Sequence, residues 1–417
     1  MAVRAVLGGL VAGCATAVSL VAIAAGVASA QSVPFSPPQF FPTTDAPAGY
    51  LVFPKVVAAT QQTCVGGTNS GGVCTDDTQC PLGTCSPALD TVIQVTNTNP
   101  ASARTLHCFY VDPAADCGEQ NFEIPLTRGQ PFAWRVSQGS SNPLIAGRDP
   151  FLGEVKCVES NGDATEPAPV NANDIVGEAS IYTVASGSPG SVDVRSYNAV
   201  GFQTKVVSTT EPPGAQSLRC TGGTNAGNTC TNDTQCPLSQ CGVLMCLGDN
   251  PASGAQCTVP NYPGCPSTLI LNNFFDDATD PATGDPITTR LTLVPCTEDL
   301  SITTAGGIDE PLTSVQFLLF NEFEQRLSTS TRFRCFRDSQ LSNIDAKSGA
   351  EKASVFNVGT QGTLAGQTRI RGVTTGETNV GHGIIGIAEE FHGTASVAVN
   401  LNQAAVSAGQ ADFVRYP

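Results

Sequence analysis

Two short cysteine segments constrain this chain more than anything else in it. "CVGGTNSGGVCTDDTQC" begins at Cys64 and "CTGGTNAGNTCTNDTQC" begins at Cys220. Each runs on to a fourth cysteine, so Cys64-x9-Cys74-x5-Cys80-x4-Cys85 is matched by Cys220-x9-Cys230-x5-Cys236-x4-Cys241. A segment this short cannot bury a core of its own, so covalent crosslinks must hold it. Four cysteines permit three pairings, and spacing alone does not choose among them. The glycines and asparagines between them supply positive-φ positions for tight turns.

The chain has 17 cysteines in all. Cys14 lies in an apolar leader that opens with Arg4 and closes on Ala28-Ser29-Ala30, the small-x-small pattern of signal-peptide cleavage. Residues 1–30 are therefore read as a signal peptide. The rival readings are a lipoprotein box at Val11-Ala12-Gly13-Cys14 and an uncleaved anchor. No other stretch is long and apolar enough to span a membrane, so no span is expected after cleavage. Without Cys14 the cysteine count is even, and in an exported chain that implies disulfides and a secreted, outer-surface or periplasmic address. Outside the two cassettes, bridges Cys108 to Cys157 and Cys296 to Cys335 are expected. Cys117 is left with Cys246, Cys257 and Cys265, which suggests one bridge tying the two halves together, or two unpaired thiols.

The cassettes resemble cysteine-rich repeats of secreted proteins from environmental, myxobacterium-like Gram-negative bacteria. The resemblance covers these two stretches only. It implies an extracellular address and no particular activity.

Between the cassettes the chain is rich in Gly, Thr, Ser, Val and Pro, a composition of short strands and turns. Runs such as YLVFPKVVA from Tyr50, DTVIQVTNT from Asp90, RTLHCFYVD from Arg104 and TRFRCFRD from Thr331 are strand-like and bounded by turn formers. The expected class is all-β, with two antiparallel β-sandwich-like domains and two small disulfide-rich cassettes. The boundaries read as a Pro-rich segment at 31–48 and a first domain at 49–210 with cassette 64–85 inserted. The second cassette follows at 220–241, then a connector at 242–265 and a second domain at 266–417. The order of weak matches between the halves also suggests a tandem duplication. It lays "VIQVTNTNPASARTLHCFYVD" over "QFLLFNEFEQRLSTSTRFRCFRD" and Cys108 over Cys335.

The net charge of −16 disfavours nucleic acid and anionic lipid as partners, and leaves self-association or other surface proteins as the expected ones. An acidic chain also suits calcium. The run containing Asp276, Asp277, Asp280 and Asp285 is the best calcium candidate, against the alternative of a solvated hairpin loop. No other cofactor is implied. His382, Glu390 and His392 are the transition-metal candidates, because Glu390 and His392 share one face of a strand and His382 belongs to the same edge. The zinc-helix motif, the nucleophile elbow, the phosphate-binding loop and the dinucleotide fingerprint are all missing. Glu389 and Glu390 are adjacent and point to opposite faces, so they cannot serve as the facing carboxylates of a glycosidase. Trp134 reads as a core residue, with Arg135 facing outward. These residues favour a non-enzymatic structural or adhesion protein of the extracellular space. A secreted hydrolase or glycan-binding protein, or a calcium-dependent binder, are the alternatives.

Overall fold

The computed structural model describes residues 41–417 except 70–71, 76, 86–87, 164–167, 185–192, 205–218, 221–224, 226–227, 232, 238–240, 247–261, 263, 277, 301–311, 346–353, 374–382, 394, 407–411 and 417. The expected signal peptide with Cys14, most of the Pro-rich segment and most of the connector lie outside the described residues. So do Asp277 and His382.

The chain is all-β, and four large antiparallel sheets carry it. The first runs Val200–Phe202, Tyr50–Ala58, Phe151–Ser160, Arg104–Asp112, Gly118–Leu126 in spatial order. The second runs Val194–Asn198, Ile175–Val184, Ala88–Asn97, Pro131–Arg135, Gly139–Ser141, Leu144–Ala146. The third is Arg326–Phe333, Thr313–Asn321, Ala365–Val373, Pro266–Phe275, Asn402–Val406. The fourth is Ala278–Thr279, Pro286–Pro295, Ile384–His392, Ala395–Asn400, with Arg337–Gln340 also pairing with 286–295. A smaller sheet joins Arg219–Cys220 and Cys241–Cys246, which begin and end the second cassette, to Phe413–Tyr416 and Glu298–Asp299. Among the described residues, no helix is long and apolar enough to cross a membrane.

The expectation of two sandwich-like domains is overturned. The four large sheets are arranged as the blades of a four-bladed β-propeller, and residues 39–417 form one compact unit. The physical reason lies in the cores. A sandwich domain closes its own core between two faces. Here one apolar cluster joins Phe53, Val95 and Tyr197 to Ile387 and Ala398, and another joins Tyr50 and Phe109 to Val294, Ile385 and Tyr416. Each half therefore completes its burial with side chains of the other.

Strand Tyr50–Ala58 shows how local sequence sets this up. All nine of its residues are buried, as expected of a strand covered on both faces. Pro54 has no N–H to give the ladder, and the register with 151–160 shifts between Phe53 and Val56. The irregularity falls at Lys55, whose N–H donates to the Tyr197 hydroxyl (3.2 Å) while that hydroxyl donates back to the Lys55 carbonyl. Trp134 lies in the core as read. Its Nε1–H donates to the Tyr110 hydroxyl at 2.7 Å, and Phe122 and Phe132 flank its ring.

The first cassette fills the connection between strands 50–58 and 88–97, and the Ala59–Leu89 bridge closes it at the base. Its bridges are Cys64–Cys80 and Cys74–Cys85, first to third and second to fourth. The second cassette repeats the second-to-fourth bond as Cys230–Cys241, and Cys236 is also disulfide-bonded. The shared Asn and Gln have the same tasks in both. Asn69 Nδ2 donates to the Gln79 carbonyl and Asn225 Nδ2 to the Gln235 carbonyl, each at 2.9 Å. Gln79 Oε1 accepts from Thr75 N–H (2.9 Å), and Gln235 Oε1 from Thr231 N–H (2.7 Å).

Elsewhere Cys108 and Cys157 lie directly opposite on paired strands and are bridged. The expected Cys296–Cys335 bridge is replaced. Cys296 is bonded to Cys265, and Cys335 reaches Cys117 across the halves. The duplication alignment fails for a related reason. Strands 313–321 and 326–333 pair as a hairpin, whereas 88–97 and 104–112 belong to different sheets.

Candidate functional site

The sequence-derived candidates do not converge. Asp276 is buried, and its carboxylate accepts from Gln340 Nε2 (2.9 Å), Thr289 N–H (3.4 Å) and Ser342 N–H. Burial raises its pKa, partly offset by these donors. Asp280 spends its Oδ1 on the N–H groups of Ala282 (2.7 Å) and Thr283 (3.3 Å), and its own N–H donates to the Asp285 carbonyl (2.8 Å). The expected calcium loop is therefore a self-capped hairpin turn between 278–279 and 286–295. Its described carboxylates do not form one ligand set.

Glu390 and His392 do share a face, and His392 Nε2 lies 2.6 Å from Glu390 Oε1 at the surface. Among the described residues no third metal-binding side chain joins them. The sulfurs that do cluster, those of Cys64, Cys74 and Cys80 and of Cys230, Cys236 and Cys241, are all in disulfides. Metal binding needs thiolates, so these clusters are crosslinks.

Two arrangements that the sequence reading missed are present instead. The first is internal. Glu389, on the opposite face from Glu390, receives the Lys55 ammonium on Oε2 and Arg195 Nε on Oε1, the latter at 2.5 Å. Lys55 also reaches Asp338 at 3.0 Å, and Asp338 binds Arg290 through Nε and Nη2 at 2.7–2.9 Å. Burial pushes Asp338 up, but Lys55 and Arg290 overcome it and hold the carboxyl below its usual range. Nearby, the wholly buried Lys156 pairs with Glu154 (3.1 Å) and with Glu298. Both networks join residues of the first half to residues of the second. Buried charges of this kind are tolerated because each has an opposite charge beside it. His107, with Nδ1 2.7 Å from the Tyr416 hydroxyl, is likewise enclosed, and burial lowers its pKa to about 4.

The second arrangement is on the surface. An open groove of about 510 Å³ is lined by Asn272, Asn273, Phe320, Glu324, Gly366 and Gln367, among others. Its shape follows from three local causes. The register between 266–275 and 365–373 shifts between Leu271 and Phe274, so both intervening asparagines face solvent. The Asn321–Gln325 turn is locked by Asn321 Oδ1, which accepts from Phe323 N–H (3.0 Å) and Gln325 N–H (2.9 Å). That turn presents Phe323 with 70% of its surface exposed. Gly366 forms the floor, because a Cβ there would lie 2.7 Å from the Phe274 ring. The amides and carboxylates that line it are groups that hydrogen-bond sugar hydroxyls. The "NN" inside an otherwise apolar strand run was the available signal for this site.

No protein-family model matches the chain, and no curated protein matches it. Among solved structures, the infectious bursal disease virus VP2 subviral particle is 9% identical over 87% of this chain and 70% of that one, with a TM-score of 0.14. The Pleurotus ostreatus lectin in complex with GalNAc is 12% identical over 87% and 86%, with a TM-score of 0.11. Similarity at that level does not extend to fold or function.

Proposed function

We propose that this chain is a secreted or cell-surface structural or adhesion protein that acts without catalysis. The observation that carries the reading is how its interior is used. The strongest acid–base contacts, around Lys55, Arg195, Asp338 and Glu389, are closed inside, and the Cys117–Cys335 bridge binds the same two halves. Disulfides persist where the surroundings are oxidising, which supports an extracellular address. Crosslinks that close long loops stabilise the folded chain, which suits a surface role. The test is the chain purified from an oxidising compartment, followed by light scattering with and without calcium and by adherence of labelled protein to intact cells. Ordered self-assembly or saturable adherence supports the reading. A monomer that adheres to nothing overturns it.

The groove at Asn272, Asn273 and Gln367 favours one specific form of this role, the binding of glycans. Asn273→Ala with Gln367→Ala should weaken capture on a glycan array if the groove is the contact, and leave the fold intact.

A further inference from the structure

The third sheet carries a charge pattern opposite to that of the chain as a whole. The protein has 36 acidic and 20 basic residues. The five strands of this sheet, PSTLILNNFF, TSVQFLLFN, RLSTSTRF, AGQTRIRGV and NQAAV, contain no Asp or Glu. One face is core, built on Leu269, Val315, Phe317 and Ile370. The other face is open except along strand Thr313–Asn321, where Ser314 is buried and Leu318 and Phe320 are half-buried. The register puts Arg332 opposite Ser314, places Ser330, Gln316 and Arg371 in one row, and Ser328, Leu318 and Arg369 in the next. Arg326 and Gln367 flank Phe320 in the last row, which runs into the groove, and the acids of this end, Glu322 and Glu324, lie on the turn that rims it. Arg326, Arg332, Arg369 and Arg371 are all exposed. Unlike Arg104, Arg148, Arg195 and Arg290, none of them has an ion-pair partner among the described residues.

We infer that this face binds an acidic polysaccharide, whose carboxylates or sulfates the four arginines receive and whose hydroxyls the intervening serines and amides hydrogen-bond. Guanidinium forks match planar carboxylates and sulfates in two-point contacts. Strands about 4.8 Å apart and residues about 6.8 Å apart along each strand give a regular grid of donors. Charge complementarity selects a polyanion, and the rest of the surface selects its form. A long duplex or an anionic bilayer would extend over the acidic remainder of the protein and be repelled, whereas a single polymer chain can lie along the sheet alone. Phe320 is half-buried and the one ring on these rows, and Phe323 stands alone at the hairpin turn, so the face has no row of aromatics for successive bases of single-stranded nucleic acid.

The inference deepens the adhesion reading and rests on it for where such a polymer is met. Its test does not depend on cells. The purified chain is passed over immobilised polygalacturonate and heparin, with dextran as the neutral control. Retention at low salt that falls steeply as salt rises is expected on the polyanions. Arg369→Gln with Arg371→Gln should weaken it about tenfold. The fourfold Arg→Gln variant at 326, 332, 369 and 371 should not be retained. The fourfold Arg→Lys variant should keep weaker, salt-dependent retention, which separates lost charge from lost fold. Arg128→Gln with Arg135→Gln removes two exposed charges elsewhere and should change nothing. The inference is overturned if the fourfold Gln variant, with an unchanged melting temperature, binds like the parent. It is also overturned if the parent ignores both polyanions, or prefers DNA or phosphatidylglycerol vesicles to them. Failure on the columns with adherence to cells intact rejects this face alone. Retention without adherence rejects the adhesion reading and keeps the site.

Discussion

Arg195 and Arg369 are the same residue in opposite circumstances. Arg195 is 4% exposed, donates to Glu389 and lies over the Phe391 ring. Arg369 stands on an open sheet face with no ion-pair partner among the described residues. The first arginine belongs to the cohesion of the molecule, because removing one member of a buried pair strands the other. The second contributes little to stability and keeps its charge available. In a chain this acidic, a guanidinium left unpaired is more telling than one that is paired, since carboxylates are the commoner partner.

Substitutions can break or sharpen that contrast. The largest effect is expected where the interior is also covalently pinned. Cys117→Ser with Cys335→Ser opens a bridge spanning 218 residues, and chain entropy sets the loss at about 5 kcal/mol, read by denaturant unfolding. Glu389→Ala leaves Lys55 and Arg195 without their shared carboxylate and should cost about 3–5 kcal/mol in the same assay. A loss below 1 kcal/mol would show that the interior network is not cohesive.

The pH dependence is smaller. Burial raises the Glu119 and Glu159 carboxyls to about 7, the latter despite Arg104. A carboxyl with a raised pKa favours the folded state below its unfolded value near 4.5, and that contribution is lost as pH rises through 7. His107, lowered to about 4, works the other way, and its contribution is lost as pH falls below 6.5. Glu154 is raised to about 7 by burial as well, and these carboxyls outweigh one imidazole, so unfolding between pH 8 and pH 5.5 should show a net gain in stability on acidification. His107→Phe should enlarge the gain. Last and smallest, Arg369→Gln should move stability by less than about 0.5 kcal/mol, in contrast to Arg195→Gln at about 3 kcal/mol.

Much of the local structure was legible. Alternation and turn formers located the strands at 50–58, 88–97 and 104–112, and the repeated spacing marked cassette 64–85 as an insertion between two of them. The i, i+2 spacing of Glu390 and His392 correctly gave them one face. The misreadings share a cause. Cys335 looked like a partner for Cys296 because one ends a strand and the other lies in a second strand of the same half, but the interleaved cores bring Cys117 to it instead. Asp276 looked like a calcium ligand because it opens an acidic run, but it is folded inward onto Gln340 and Ser342. Net charge hid the cationic face, although RLSTSTR and TRIR carry arginines at one parity with no acid between them.

By itself the sequence determined the all-β class, the two crosslinked cassettes and the face each strand residue takes, because these depend on neighbours a few positions apart. Only the tertiary structure decided that the halves share their cores, that Lys55 meets Glu389 from 334 residues away, and that four arginines on two strands line one open face. Such meetings depend on which strands become neighbours, and many pairings satisfy the same alternation.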